Sequence, residues 1–312
     1  MNVDSKVPAA FAGTSVLEYL TKRFTYLTAA GWQSLIDAGQ VTCQGKCSDG
    51  TQIVQRGDII GCVLPAHEAP EVNLDYAIVY EDDWLLAINK PPGLRVHSGG
   101  KFVNANLVYH LRHVHQPPYP GVDLVNRLDA DTSGLVLLAK DKTVLSTVMQ
   151  QFRDGTVIKH YLAVVSGRPV PAEGIIDLPI GPAKEALVPR FAIDREQGKA
   201  AVTRYRIVRP LGNDFTLLSL TPETGRTHQL RVHLAAIGHP IAGDALYRMN
   251  DADYLAHRHN PPPPDGSLQR QALHSDQLQF KHPVKQTSVT LNAPLASDIE
   301  QFIEQCGKQD EG

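Results

Sequence analysis

The sequence predicts an α+β protein made of a small N-terminal domain, residues 1–68, and a larger domain, residues 69–312, built on a mixed or antiparallel sheet. Three observations support this prediction. Residues 13–64 combine apolar residues at helical spacing with short strand-like pieces. The polar, proline-containing segment 65–73 is typical of a linker. From residue 74 onward many strand-like segments occur with few helices, which favours α+β over a regular βαβ series.

Two helices and a small β element are expected in the N-terminal domain. Apolar residues at helical spacing predict a first helix over residues 15–24. A second helix is predicted over Ala30–Ala38 and is closed by Gly39. The strand-like pieces that follow read QVTCQGK, GTQIVQRGD and IIGCVL.

The larger domain is expected to consist mainly of strands. The candidate strands read AIVYED, LLAINKP, GLVLLAK, HYLAVVSG, AAVTRYRIVRP, FTLLSLTP and SVTLNAP. Helices are predicted at Asn104–His113, Thr143–Phe152, Thr227–Ile237 and Ser297–Gln305. The proline run Pro261–Pro264 predicts an exposed loop.

The bulk properties are those of an ordinary globular protein. A net charge of -3 gives no global attraction to nucleic acid, so any RNA-binding surface must be local. Apolar runs fall short of the roughly 18 residues of a membrane span, and the N-terminus lacks a signal-peptide pattern. We therefore expect a cytoplasmic protein without membrane association. Its cysteines are expected to be reduced thiols; they are Cys43, Cys47, Cys62 and Cys306.

The stretch VNRLDADTSGLVLLAK, residues 125–140, places charged residues at the start of a strand that is expected to be buried. Arg127, Asp129 and Asp131 precede the apolar run. Two interpretations of Asp129 stand at this point. It ties up backbone donors in a turn, as Asp often does, or it is a working carboxylate that a nearby cation keeps ionised and directs.

Two further stretches carry residues suited to chemistry. The first, KHYLAVVSG, contains Tyr161. The second, TGRTHQLRVHLAAIGHPIAGDALY, has Leu230, Leu234 and Ile237 on one face of a predicted helix, with Arg231 at the edge of that face. A partly buried arginine needs a carboxylate partner, and Asp129 is a natural candidate.

These three stretches together resemble the motifs of the RluA family of RNA pseudouridine synthases. NRLDADTSGLVLLAK is similar to the family signature, KHYLAVVSG to its second motif and GRTHQLRVHLAAIGHPIAGDALY to its third. The flanking pieces EDDWLLAINKPPGLRVH and LHSDQLQFKHP agree. The resemblance runs in order from about residue 74 to the C-terminus, and several ordered matches are a stronger signal than one short motif.

The resemblance implies a mixed-sheet catalytic domain that isomerises uridine to pseudouridine in structured RNA, rRNA or tRNA, without cofactor or metal. It implies that Asp129 is the catalytic carboxylate and that Arg231 pairs with it. It also implies that Tyr161 packs against the target base and accepts or relays a proton. Arg127 would contact RNA or fill the space vacated by the flipped base, and Leu230 would line the uracil pocket. Flipping favours loops and bulges as targets.

The sequence departs from the family pattern in two places. Asn126 stands where the family commonly has histidine, in HRLD. The N-terminal domain resembles an S4-type RNA-binding domain, but its second helix, within LTAAGWQSLIDAG, contains no Lys or Arg. Residues 1–68 hold five cations against six acids. An S4-like domain that is degenerate for phosphate binding is therefore expected.

Three alternatives are weighed against this reading. The protein could be an RNA-binding or RNA-folding module whose catalysis is dispensable. Hydrolysis of a glycosidic bond by paired carboxylates is weakly supported, because Asp131 lies on the same short turn as Asp129. The H-x-H pairs, His113 with His115 and His257 with His259, lack the acidic or cysteine ligands that would complete a metal site. The sequence does not predict an oligomeric state.

Overall fold

The computed structural model describes residues 2–24, 27–63, 71–98, 103–183, 186, 188–257 and 268–308. It divides the chain into two compact units. The first, the N-terminal unit, takes in Met1–Glu71 and His97–Ala105, and the second, the sheet unit, takes in Val72–Val96 and Asn106–Gly312. The domain boundary predicted between residues 68 and 69 lies outside the described residues and stays a prediction. The same holds for most of the predicted linker and for the loop at Pro261–Pro264.

The N-terminal unit is a small antiparallel sheet with two helices. Its elements are β1 (Asn2–Lys6), α1 (Val16–Arg23), α2 (Ala29–Asp37), β2 (Val41–Cys43), β3 (Lys46–Cys47) and β4 (Ile59–Val63), with a short 3-10 turn at Ala9–Phe11. The strand order is β1-β4-β2-β3. Both helices begin where a hydroxyl accepts a backbone N–H: Ser15 caps α1 and Thr28 caps α2.

In the N-terminal unit one expected strand is absent and one observed strand was not predicted. The piece GTQIVQRGD is not a strand, since its pairing is limited to an isolated bridge between Ile53 and Ser15. The strand Asn2–Lys6 was not predicted, although it pairs along its whole length with Ile59–Val63. Its alternation of polar and apolar residues is too short to be distinguished from a loop by pattern alone.

The sheet unit contains most of the chain. Its strands are β5 (Ala77–Glu81), β6 (Leu85–Lys90), β7 (Asp123–Leu124), β8 (Ser133–Ala139), β9 (Ile158–Ser166), β10 (Glu173–Asp177), β11 (Ile180–Pro182), β12 (Phe191–Ile193), β13 (Val202–Leu211), β14 (Phe215–Pro222), β15 (Leu273–Lys281) and β16 (Ser288–Asn292). Its helices are α3 (Leu107–His113), α4 (Lys142–Arg153), α5 (Gln229–Ala236), α6 (Ala245–Arg248), α7 (Asp251–His257) and α8 (Ser297–Lys308).

Ten of these strands form one mixed sheet, which confirms the predicted α+β fold class. The main order is β10-β13-β14-β9-β15-β8-β6-β5, with β16 beside β15 and β7 beside β8. The pairs are antiparallel except for β15 with β8, which run parallel. Strand β15 therefore joins the two halves of the sheet. Strands β11 and β12 form a separate hairpin.

The parallel crossing of β8 and β15 requires a glycine. At Gly134 φ is +108°, and a side-chain Cβ there would collide with the backbone of Ser275. A larger residue would force the two strands apart. Gly134 follows Asp129 by five residues. The close contact between Gly134 and Ser275 therefore fixes the position of β8, the strand that follows the turn carrying Asp129.

In the described part of the chain, no helix has the length and hydropathy that a membrane crossing demands.

Candidate active site

A cavity of about 260 Å³ lies at the turn that precedes β8. Its walls come from that turn, from β9, from the segment after β14 and from the start of α5. All five residues predicted for the site line it: Arg127, Asp129, Tyr161, Leu230 and Arg231. The structure thus brings together residues that lie up to 104 positions apart in the sequence.

The turn that carries Asp129 is held by hydrogen bonds to its backbone. Lys90 Nζ donates to the carbonyl of Ala130 at 2.8 Å, and Arg270 Nη1 donates to the carbonyl of Asp131 at 3.0 Å. Both cations are buried. Because burial disfavours the charged amine, the pKa of Lys90 is lowered to about 7. These two bonds hold the backbone of the turn in place, and the side chain of Asp129 lines the cavity.

Asn126 binds the same turn to the sheet. Its Oδ1 accepts from the N–H of Leu137 at 2.7 Å, and its Nδ2 donates to the carbonyl of Leu135 at 3.2 Å. The amide therefore acts as a strand partner for β8. Pairing with a strand in this way requires one hydrogen-bond donor and one acceptor on a short planar group. The asparagine amide supplies both and carries no titratable proton.

Arg231 on α5 is buried between two carboxylates. Its Nη1 donates to Asp129 Oδ2 at 2.9 Å. Its Nε and Nη2 donate to the two oxygens of Asp244 at 2.7 and 2.9 Å. Burial opposes the charge, but the hydrogen bonds and charges of Asp244 and Asp129 outweigh it and raise the pKa of Arg231. Asp244 anchors the guanidinium, and the remaining nitrogen reaches Asp129.

The geometry speaks against the turn interpretation of Asp129. Among the described residues its carboxylate accepts from Arg231, and no backbone N–H of its own turn donates to it. His228 Nε2 lies 3.7 Å from the same oxygen, Oδ2. The side chain of Asp129 is 29% exposed, so it remains open to the cavity.

His228 lies between Tyr247 and Asp129. The N–H of Phe191 donates to the hydroxyl oxygen of Tyr247 at 3.3 Å, and that hydroxyl lies 2.9 Å from His228 Nδ1. The other ring nitrogen, Nε2, faces Asp129. Burial, followed by the charge of Arg231, lowers the pKa of His228 and favours the neutral ring. His228 takes a left-handed φ of +57° to reach this place.

Tyr161 and Leu230 form an apolar wall of the cavity. Tyr161 lies on β9 opposite Leu220 and packs against two of the hydrophobic clusters. Burial raises its pKa to about 12, so the hydroxyl stays protonated at neutral pH. Leu230 is buried beside it at the start of α5. Arg127 contributes a cationic rim to the same cavity.

Sequence reasoning missed Asp244, His228 and Tyr247. All three lie inside the stretch GRTHQLRVHLAAIGHPIAGDALY, so the motif itself was the available signal. Their roles depend on a contact between the start of α5 and the segment that enters α6, a tertiary contact that no spacing rule predicts.

The described residues contain no group of three or more His, Cys, Asp or Glu side chains placed to hold a metal ion. Of the H-x-H pairs, His259 lies outside the described residues.

Comparison with protein-family models matches residues 84–236 to the RNA pseudouridylate synthases. The ribosomal large subunit pseudouridine synthase D of Nitrosomonas europaea is 35% identical, over 97% of this chain and 87% of that protein. The ribosomal large subunit pseudouridine synthase C of Vibrio cholerae is 36% identical, over 94% of this chain and 93% of that protein. An uncharacterized RNA pseudouridine synthase of Synechocystis is 34% identical, over 93% of this chain and 88% of that protein.

Solved structures agree with the sequence comparisons. The human RNA pseudouridylate synthase domain containing 4 protein superposes with a TM-score of 0.58 at 28% identity, over 74% of this chain and 92% of that one. The human domain containing 1 protein gives a TM-score of 0.56 at 25% identity, over 76% of this chain and 96% of that one. The resemblance found in the motifs thus extends to the fold and to nearly the whole length of the relatives. The chain belongs to the RluA-type RNA pseudouridine synthases and is a pseudouridine synthase, an isomerase that acts on RNA.

Proposed function

We propose that the protein converts specific uridines of large-subunit rRNA to pseudouridine, with Asp129 as the catalytic carboxylate. The observation that carries the role of Asp129 is its carboxylate, open to the cavity and paired with the buried Arg231 at 2.9 Å. The choice of rRNA over tRNA rests on the relatives named as ribosomal large subunit synthases.

The reaction asks for an ionised carboxylate beside the sugar. The N1–C1′ bond breaks, the uracil turns, a C5–C1′ bond forms, and the proton on C5 is replaced by one on N1, so no atom is gained or lost. A carboxylate serves this sequence either as a nucleophile toward C1′ or as a base toward the sugar. In either route Arg231 fixes the direction of the Asp129 carboxylate and pairs its charge with a permanent cation.

The apolar wall suits the flipped base. Tyr161 would pack against the uracil, and Leu230 would line the pocket beside Tyr161. With its pKa raised to about 12, Tyr161 would act first as a hydrogen-bond donor, and it would accept a proton only if the reaction itself made it a stronger base. Arg127, at the rim, would contact the RNA or occupy the space that the base leaves in its stack.

The two-domain division belongs to this proposal. Residues 1–68 would form an S4-like domain with little affinity for phosphate, and residues 69–312 the catalytic domain. The antiparallel sheet and helix pair of the N-terminal unit support the S4-like assignment. Its second helix carries no cation, so target choice would depend on the surface around the cavity.

The test is a pseudouridine map of rRNA from cells that lack the gene and carry wild type, Asp129→Asn or Asp131→Asn. Asp131 is the matched control: it lies on the same turn, it is exposed, and it does not line the cavity. We expect wild type and Asp131→Asn to restore the lost sites and Asp129→Asn to restore none.

Turnover by Asp129→Asn would contradict the role of Asp129. If Asp129→Asn formed no pseudouridine yet rescued growth as well as wild type, an RNA-binding module with dispensable catalysis would be the better description. Release of free uracil from RNA would instead indicate glycosidic hydrolysis.

A further inference from the structure

Lys159 lines the cavity from the same strand face as Tyr161. Side chains two residues apart on a strand point to the same side, and Lys159 precedes Tyr161 by two on β9. Both residues are among those that line the cavity. The Lys159 ammonium donates to the carbonyl of Thr224 at 3.2 Å, which occupies one of its three protons.

This ammonium has no opposite charge beside it in the described part of the chain. The two buried arginines of the sheet unit do: Arg231 pairs with Asp129 and Asp244, and Arg270 pairs with Asp298. The buried Lys90 is instead held by the carbonyls of Pro91 and Ala130. For Lys159 burial alone lowers the pKa, with no carboxylate acting against it. A half-buried ammonium that faces a cavity without a counter-charge is unfavourable unless a ligand supplies one.

The cavity as a whole is cationic. Its described lining contains four lysine or arginine side chains and a single carboxylate, Asp129. Arg231 is already neutralised by Asp129 and Asp244. Lys159 and Arg226 also line the cavity, and their printed partners are backbone carbonyls, those of Thr224 and Ala200. Such a surface attracts an anion, and the anion that RNA offers is its phosphodiester.

We propose that Lys159 binds a phosphate oxygen of the target uridine and so fixes the sugar against Asp129. This inference rests on the proposed function. Two residues of a strand span about 7 Å, so a phosphate at Lys159 and a base against Tyr161 fit one nucleotide. The rival contact is a uracil carbonyl, which would accept the same hydrogen bond but carries no charge.

Salt dependence separates the two contacts, because only a phosphate contact releases a counter-ion. The substrate is unmodified large-subunit rRNA transcribed in vitro, and the variants of the full chain are Lys159→Gln and Lys159→Arg. Arg204→Gln is the control: Arg204 is exposed, pairs with Glu223, and does not line the cavity. The readouts are kcat and KM for pseudouridine formation over a series of KCl concentrations.

For Lys159→Gln we expect KM to rise about tenfold at low salt with kcat changed less than threefold. The slope of log KM against log [KCl] should fall by about 0.7, the value for one phosphate on a single strand. Lys159→Arg should keep the wild-type slope, and Arg204→Gln should change neither KM nor kcat by more than twofold. A raised KM with an unchanged slope, a loss confined to kcat, or no change at all would each overturn the proposal.

Two measurements keep the test independent of other failures. If wild type formed no pseudouridine, the salt slope of RNA binding by Asp129→Asn, with and without Lys159→Gln, would test the contact without turnover. If Lys159→Gln failed to fold, amine acetylation of the wild-type protein would replace it. Bound RNA should protect Lys159 and leave the exposed Lys281 as reactive as before, and equal labelling of Lys159 with and without RNA would overturn the proposal.

Discussion

The two units treat charge differently. In the N-terminal unit, Ser48 is the one buried polar side chain among the described residues, and the core is aromatic and aliphatic around Trp32 and Tyr19. Its ion pair, Lys22 with Glu18, is exposed. The sheet unit buries two arginines, a lysine and Asp244 close to the cavity. In the sheet unit, buried charged side chains thus surround the turn that carries Asp129, whereas the N-terminal unit keeps this ion pair at its surface.

This difference in charge burial predicts which substitutions should change stability and activity. A buried charge is tolerated only with partners, so each one ties its neighbours to a fixed geometry. An exposed pair imposes little, since water replaces either partner. The sheet unit should therefore be sensitive to isosteric changes of charge that the N-terminal unit tolerates.

The largest contrast is expected between Asp244→Asn and Glu18→Gln. Asp244→Asn leaves the buried Arg231 with a single carboxylate, so we expect a loss of about 3 kcal/mol in the free energy of unfolding. Because Arg231 loses its anchor, kcat should fall at least tenfold. Glu18→Gln removes an exposed partner and should change neither quantity measurably. Urea unfolding and single-turnover assays measure both, and equal effects of the two changes would break the contrast.

Acid should weaken the sheet unit before the N-terminal unit. His274 is fully buried between Ser133 Oγ and the carbonyl of Ala293, and burial lowers its pKa to about 4. The unfolded chain protonates near the ordinary 6.5. This contribution to stability is complete above pH 6.5 and is lost as the pH falls toward 4. From pH 7.5 to 5 the loss is about 2 kcal/mol.

Each unit carries its own reporter for this measurement. The chain has two tryptophans, Trp32 in the N-terminal unit and Trp84 in the sheet unit. Unfolding followed by Trp84 in a Trp32→Phe variant should shift to lower urea at pH 5, and His274→Gln should reduce that shift. Unfolding followed by Trp32 in a Trp84→Phe variant should hardly move, since residues 1–63 contain no histidine and His97 of the same unit is exposed. A joint shift would mean that the two units unfold as one.

The smallest effect is expected from the cations of the first helix. Lys22 and Arg23 are exposed at the end of α1. If the N-terminal unit contributes little to phosphate binding, Lys22→Gln with Arg23→Gln should change KM for rRNA less than twofold and leave its salt slope unchanged. A slope lowered by one or more would show that the unit binds phosphates after all.

The motif residues and most strands followed from the sequence because their signals are local. Strand β8 is a continuous apolar run that the sheet buries on both faces. Leu230 and Leu234 are buried on α5 as their spacing predicts, but the helix also buries the polar residues between them. Strand β15 was missed as a strand for the opposite reason. Its first half, His274 and Ser275, is polar yet buried, because its partners come from distant strands.

The same reasoning explains what was missed at the site. The sequence predicts Asp129 as the partner of Arg231. One carboxylate is enough to balance one arginine, so nothing in the sequence calls for a second. The second partner, Asp244, reaches Arg231 because the start of α6 lies beside α5. The ring of His228 contacts the hairpin residue Phe191, which lies 37 positions earlier in the chain, edge to face. Such contacts belong to the tertiary structure alone.

The central place of β15 has a consequence for how the protein is made. Strands β5 to β9 and β13 to β14 precede it in the chain, yet the two halves of the sheet meet only through it. During translation the ribosome releases both halves first, and the strand that joins them emerges more than a hundred residues after β9 begins. Pairing between strands so far apart in the chain forms slowly, and the edges of β8 and β9 stay unpaired until β15 inserts between them. An incomplete nascent chain therefore holds Asp129 and Tyr161 on separate half-sheets, so the activity is expected to appear only when β15 has inserted.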